Sequence, residues 1–233
     1  MAWRAQPARV AGVNRVLGKT AFLFDLDGTL VDSSGLHEKA YREALSEYAP
    51  ALLGGFDYES LKGKSTEESF RGLGIVEAGA LEALASEKQR RYRAAVEAGE
   101  LRLMPGSREM LEFLQRRRKR LFVVTGGSRR STDAALDATG IHAFFEAVIT
   151  ADDVACGKPA PDGFLLCLER FGIRAAEAVG IEDAINGLEA CRAAGLDVVL
   201  VNNRSLEETV QPAFPSMVEF RAALVQREEY ADV

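Results

Sequence analysis

One stretch constrains this chain more than any other: residues 20–32, Thr-Ala-Phe-Leu-Phe-Asp-Leu-Asp-Gly-Thr-Leu-Val-Asp. Residues 20–24 are an apolar run without polar alternation. That pattern reads as a buried strand of a parallel sheet, which is covered on both faces. The run ends in two acids, Asp25 and Asp27, one residue apart. Gly28 then allows a sharp turn where other residues would be strained. Ligands of open α/β sheets bind just outside the carboxyl ends of the strands, so chemistry is expected here. Two carboxylates at the tip of a buried strand are costly unless a cation sits between them. A divalent metal with a phosphate meets that need.

The remainder divides into an all-helical stretch and an alternating one. Residues 36–48 carry Leu36, Ala40, Tyr41, Ala44, Leu45 and Tyr48 at helical spacing. Ser65 and Glu68 have the form of a capping box that opens a short helix through Leu73. A longer helix is predicted over 77–97, with Leu81, Leu84, Lys88, Tyr92 and Val96 along one side. Residues 33–103 therefore read as an all-α insertion without a strand. Met104-Pro105-Gly106 marks the return to the core. Strands are predicted at 121–125, 147–150, 178–181 and 198–202, separated by helices at 107–119, 131–139, 161–171 and 183–194, with a last helix at 216–226. Such alternation specifies a doubly wound, Rossmann-like α/β core with right-handed crossovers. The expected organisation is an extension at 1–19, poorly ordered; a core of 20–32 and 104–233; and a helical cap of 33–103.

Composition removes several classes of function. The net charge of −6 argues against a nucleic-acid binder. The basic run 116–120 is expected to be a solvated helix end, favoured by the macrodipole. No apolar run approaches the ~20 residues of a membrane span. Cys156, Cys167 and Cys191 are scattered, with no metal-ligand spacing, which fits free thiols in a reducing, cytoplasmic setting. The leader has four basic residues, no acid and no apolar segment of a secretory signal. A monomer is the default expectation, with a dimer as the alternative.

Polar residues gather at the ends of four successive strands: Asp25 and Asp27, then Thr125, then Lys158, then Glu182 and Asp183. Residues converging on one sheet edge make a site. In order along the chain, Asp25-Leu26-Asp27-Gly28-Thr29, Thr125, Lys158-Pro159-Ala160-Pro161-Asp162 and 180–187 (Gly-Ile-Glu-Asp-Ala-Ile-Asn-Gly) resemble the four motifs of the haloacid dehalogenase superfamily. The resemblance spans roughly residues 20–225.

The resemblance implies a phosphoryl-transfer enzyme. Asp25 matches the nucleophile that forms an acyl phosphate, and Asp27 the general acid/base. Each role has a physical basis. A carboxylate can attack phosphorus, and one group can serve as acid and then as base. Thr125 donates its hydroxyl to the phosphoryl oxygens, and the Gly126 and Gly127 N–H groups can approach them closely. Lys158 supplies a cation. Mg²⁺ takes oxygen ligands; Asp25, the Asp27 carbonyl and Asp183 are the candidates, with Glu182 as a direct or outer ligand. His37, Lys64 and Lys88 are candidate contacts to the substrate from the cap, with a plain surface or helix role as the competing reading for each.

The pair Asp25/Asp27 disfavours a true dehalogenase. The run Asp32-Ser33-Ser34 with His37, and residues 61–69, look like the β-phosphoglucomutase branch, which includes phosphatases of sugar phosphates and phosphoglycolate. The match departs at Thr66, where the mutase usually has arginine, and at Thr125-Gly126-Gly127. The expectation is therefore a Mg²⁺-dependent phosphatase of a small phosphorylated metabolite, with a phosphosugar mutase as the alternative and a non-catalytic binding module as a third reading.

Overall fold

Strand β1 (Ala21–Phe24) lies at the centre of a six-stranded parallel sheet. The structure is a computed structural model that describes residues 7–62, 64–207 and 212–231. Gly63, within the loop quoted above, lies outside the described residues. The other strands are β4 (Arg120–Val124), β5 (Ala147–Ile149), β6 (Ala178–Glu182), β7 (Asp197–Val201) and β8 (Ala213–Phe214). Their order is β5-β4-β1-β6-β7-β8, all neighbours parallel. β1 pairs on both edges, with Leu23 opposite Phe122 of β4 and Gly180 of β6. Double pairing fixes the position of the residue that follows β1, Asp25, whose N–H donates to the Ile181 carbonyl at 2.9 Å.

Alternate residues of each strand feed two separate hydrophobic layers, which is what double winding requires. Phe22 and Phe24 face α1 (Pro7–Leu17), α5 (Ser107–Arg116), α6 (Arg129–Thr139) and α9 (Met217–Ala231). Ala21 and Leu23 face α7 (Asp162–Arg170) and α8 (Ile185–Ala193). Cys167 and Cys191 are buried in this second layer and Cys156 is exposed; all three thiols are free.

Between β1 and β4 the chain builds a helical insert with its own apolar cluster. It contains α2 (Ser34–Tyr48), α3 (Thr66–Gly72) and α4 (Ala78–Glu97). Tyr41, Phe56, Phe70 and Leu84 are buried together there. The capping box of α3 forms as the sequence predicts: Ser65 accepts from the Glu68 N–H, and Glu68 accepts from the Ser65 N–H at 2.9 Å.

The structure corrects the sequence reading in several places. The predicted five strands are six, because β8 adds an edge of only two residues. Residues 33–103 are not free of strand. β3 (Arg102–Leu103) pairs antiparallel with β2 (Val31–Asp32), so the two crossings between core and insert form one short ladder. Part of the leader forms α1, which buries Val13 and Val16 against the core, where α9 also packs; residues 1–6 of the expected extension lie outside the described residues. Several ends shift by a few residues. β4 stops at Val124, leaving Thr125 just beyond it, and α8 starts at Ile185, leaving Asp183 in the turn. No helix among the described residues is long and apolar enough to cross a membrane.

Candidate active site

The carboxyl edge of the sheet carries the candidate residues together. Asp25, Asp27, Thr125, Gly126 and Gly127 line one pocket with His37, Tyr41, Tyr58, Lys62, Lys64, Thr66 and Lys88 from the insert. Lys158 is buried against Asp25. Its ammonium donates to Asp25 Oδ1 at 2.7 Å, Glu182 Oε1 at 2.7 Å and the Val124 carbonyl at 2.8 Å. Three charge-assisted bonds fix a lysine that is 5% exposed. Burial alone would push its ammonium down, but Asp25 and Glu182 outweigh this and raise it, so Lys158 is charged.

Three buried carboxylates meet here. Ligand oxygens of Asp25, Glu182 and Asp183 all lie within 4.8 Å of one another. Burial pushes Asp25 up, against the pull of Lys158. Burial likewise raises Glu182 well above the ordinary range, and it brings Asp183 up to about 7, helped by Asp25. Lys158, with Lys62 acting on Asp183, leaves these three carboxylates short of positive charge. An all-oxygen donor set of that sign fits a small hard divalent cation. Glycines make room for the carboxylates themselves: a Cβ on Gly28, where φ is +81°, would stand 2.2 Å from Asp183 Oδ2, and one on Gly187 would stand 1.9 Å from Glu182 Oε2. Thr29 Oγ1 donates to Asp183 Oδ1 at 3.3 Å, and Asn203 Nδ2 to the Asp183 carbonyl at 2.7 Å.

The carboxyl of Asp27 is turned away from this cluster, so only its backbone remains a candidate ligand. Its Oδ1 accepts from Ser33 Oγ at 2.6 Å and from His37 Nε2 at 2.9 Å. Burial pushes this carboxyl up, yet His37, Ser33 and Lys88 hold it down at about 2. His37 itself is pushed down by burial and by Lys88, whose ammonium lies 3.0 Å from Nδ1. A neutral His37 with its proton on Nε2 satisfies both contacts: Nδ1 accepts from Lys88 and Nε2 donates to Asp27. Lys88 is 4% exposed, and burial brings it down to about 8.

Two of the candidate groups, one on the insert and one on the core, are engaged within the protein. Both ring nitrogens of His37 are engaged, and the ring stacks on Tyr92 at 4.0 Å. It orients Asp27 instead of offering a free group to substrate. Gly127 is the second. Its N–H donates to Thr125 Oγ1 at 3.1 Å, which leaves the threonine proton aimed elsewhere. Lys64 lies where the sequence puts it, on the pocket wall.

Sequence reasoning missed several contributors. Asn202 and Asn203 follow β7, and Asn202 Nδ2 donates to the carbonyls of Gly28 and Thr29 at 2.9 Å each. The rule that polar residues beyond strand ends make the site would have found them. The Ser33 hydroxyl, in the run quoted above, holds Asp27. Nothing local marks Tyr41 or Tyr58 as pocket residues.

Comparison with known proteins agrees with this geometry. The profile of the family described as "Hydrolase: haloacid dehalogenase-like hydrolase" matches residues 19–195. Fructose-1-phosphate phosphatase YqaB of Escherichia coli (strain K12) is 34% identical over 76% of this chain and 93% of its own. The phosphorylated carbohydrates phosphatase of Thermotoga maritima is 31% identical over 91% of this chain and 97% of its own. The crystal structure of CbbY from Rhodobacter sphaeroides in complex with phosphate superposes with a TM-score of 0.75 at 26% identity, over 88% of this chain and 99% of that one. The match spans both the sheet that carries Asp25 and the insert that closes the pocket, and the chain belongs to the haloacid dehalogenase-like hydrolases, as a phosphatase.

Proposed function

We propose that this protein is a Mg²⁺-dependent phosphatase of a small phosphorylated metabolite of the sugar-phosphate kind, acting through a phosphorylated Asp25. The observation that carries the reading is the setting of Asp25. It follows the doubly paired central strand, bonds Lys158 at 2.7 Å, and stands two residues from a carboxylate held outside the cation cluster.

The reaction is read as follows. Asp25 attacks phosphorus, and the ester oxygen leaves. Lys158 and the Thr125 hydroxyl hold phosphoryl oxygens, with the Gly126 N–H beside them. Asp27 is ionised at rest. An approaching phosphoryl anion raises its carboxyl by like-charge repulsion, which favours the protonated form needed to give a proton to the leaving oxygen. Asp27 then takes a proton from the water that hydrolyses the acyl phosphate. Asp25, Asp183, the Asp27 carbonyl and Glu182, directly or through an outer contact, would hold Mg²⁺, which supplies charge neutralisation for the phosphoryl group.

The helical insert, residues 33–103, is assigned as a cap over the core of 20–32 and 104–233. It brings Lys62, Lys64 and Lys88 to the pocket, a sign of charge suited to phosphate esters. The names of the relatives in Escherichia coli and Thermotoga maritima support a phosphorylated carbohydrate as substrate. Mutase chemistry would need a place for a second phosphate. Thr66 offers a hydroxyl there and no charge. The test is phosphate release from a panel of hexose phosphates, phosphoglycolate and nucleotides, with Mg²⁺ or with chelator. Release that requires Mg²⁺ and vanishes in D25N is expected. Release insensitive to chelator, or retained in D25N, would overturn the reading.

A further inference from the structure

Tyr58 lines the same pocket as Asp25, Asp27 and Thr125, yet none of the steps assigned to those residues uses it. It sits in a stiff turn of the insert. Phe56 and Leu61, on either side, are buried in the insert's apolar cluster, and the half-buried Tyr58 ring packs against that cluster. Between them Asp57 Oδ1 accepts from the Glu59 N–H at 3.1 Å, and Ser60 Oγ donates to the Asp57 carbonyl at 2.8 Å. The ring lies 6.1 Å from that of Tyr41, tilted by 44°. The Lys62 ammonium stands 6.0 Å from its centroid. A ring braced in this way presents its hydroxyl at little further cost in side-chain entropy.

That hydroxyl has no hydrogen-bond partner among the described residues. Burial pushes the phenol up, and Asp27 pushes it further, ahead of Tyr41 and Asp183. It therefore keeps its proton and is a donor at neutral pH. Asp27 is the charged group that acts on it most strongly. With Asp27 as the general acid, the phenol stands on the side of the pocket where the leaving oxygen takes its proton. The cavity holds about 60 Å³, room for roughly four to six waters at about 10–15 Å³ each. Such a space takes a phosphoryl group and the few atoms joined to it. The phosphoryl oxygens already have Lys158, the Thr125 hydroxyl and the Gly126 N–H. The first atoms of the leaving group remain for Tyr58.

We propose that Tyr58 is a specificity residue, whose hydroxyl donates to an oxygen carried by the carbon next to the ester carbon. The site then favours phosphate esters of sugars and polyols over plain alkyl phosphates. The assignment rests on the phosphatase reading and names what the pocket recognises beyond the phosphoryl group. A ketose 1-phosphate offers its C2 oxygen at that place, and an aldose 6-phosphate its C5 oxygen. An ester that lacks the oxygen leaves the phenol half-buried and unpaired, and loses the bond.

The test uses two esters that differ only in that oxygen, propane-1,2-diol 1-phosphate and propyl phosphate, with the whole chain and Mg²⁺. Wild type should have the higher kcat/KM for the diol ester, by about tenfold, the factor carried by roughly one hydrogen bond. Y58F keeps the ring and removes the donor. It should lose about that factor on the diol ester and stay within about twofold of wild type on propyl phosphate. Inorganic phosphate fills only the phosphoryl site, so it should inhibit both proteins equally, which also shows that Y58F keeps its pocket. A loss shared equally by the two esters, weaker inhibition by phosphate in Y58F, or an unchanged ratio between the esters would overturn the assignment. A wild-type protein that releases phosphate from neither ester and from no hexose phosphate overturns the phosphatase reading itself, and the role of Tyr58 falls with it.

Discussion

At the scale of single residues, Asp27 is held by two donors on one oxygen and left open on the other. Ser33 and His37 bond Oδ1, and Lys88 braces His37 from behind. D27N keeps the shape of the side chain and removes its ability to exchange a proton. Turnover is expected to fall about 10²–10⁴-fold, the usual weight of general acid–base catalysis, while melting changes little. Steady-state kinetics with the best substrate checks this, and an activity within tenfold of wild type would contradict it. The positions of Asp25, Lys158 and the pair Glu182 and Asp183 were legible in the sequence because each directly follows, or lies just beyond, a predicted strand. The Lys88–His37 contact was not. Its partners are 51 residues apart, and helical spacing says which side of α4 faces inward but not what it meets there.

Among the elements, α1 shows how a segment without local signals is held by distant ones. Its residues are basic and weakly patterned, so nothing in the leader itself announces burial. Val13 and Val16 are buried only because the sheet and α9 provide a surface. Beyond the helix, Lys19 bonds the Ala176 carbonyl at 2.8 Å and reaches Asp197 Oδ2 at 2.5 Å, at the start of β7. Arg15 adds a contact to Asp197 Oδ1 at 3.2 Å. Burial pushes the Asp197 carboxyl up, but the bonds from Lys19 and Arg15 outweigh it and lower it. A carboxyl lowered in the folded state contributes stability above its unfolded value of about 3.9, and loses that contribution as pH falls through the lower folded value. D197N should therefore be less stable than wild type by about 1 kcal/mol at pH 7 and pH 5, with the gap closing below about pH 4. Urea midpoints at pH 7, 5 and 3 test this. A gap that persists at pH 3 would contradict it. The two-residue strands β2, β3 and β8 were illegible for a related reason: each exists through pairing with a remote partner, and two residues carry no period.

Across the whole molecule, the site exists only when insert and core are brought together. The core supplies Asp25, Lys158 and the cluster of three carboxylates; the insert supplies His37, Lys62, Lys64 and Lys88. The short β2–β3 ladder is where the chain passes between them. A direct bond joins them at the pocket: Asn186 Nδ2, at the start of α8, donates to the Lys62 carbonyl at 2.7 Å. N186A should lower kcat/KM about fivefold, as loss of one ordinary hydrogen bond would. Its melting temperature should fall by no more than about 2–4 °C. Equal kcat/KM in N186A and wild type would show that this bond does not hold the closed arrangement. Double winding and the position of the site followed from the sequence because alternation of strand and helix is a local pattern. The register of insert against core did not, since it depends on contacts such as Asn186 to Lys62 between segments more than a hundred residues apart.

The most direct measurement is the site of phosphorylation itself. Wild-type enzyme would be mixed with Mg²⁺ and its best substrate, quenched in acid within one turnover, digested and examined by mass spectrometry. One phosphoryl group on the peptide that contains Asp25, absent from D25N, is the predicted result. A phosphoryl group on any other residue, or turnover with none on the protein at any time point, would contradict the account.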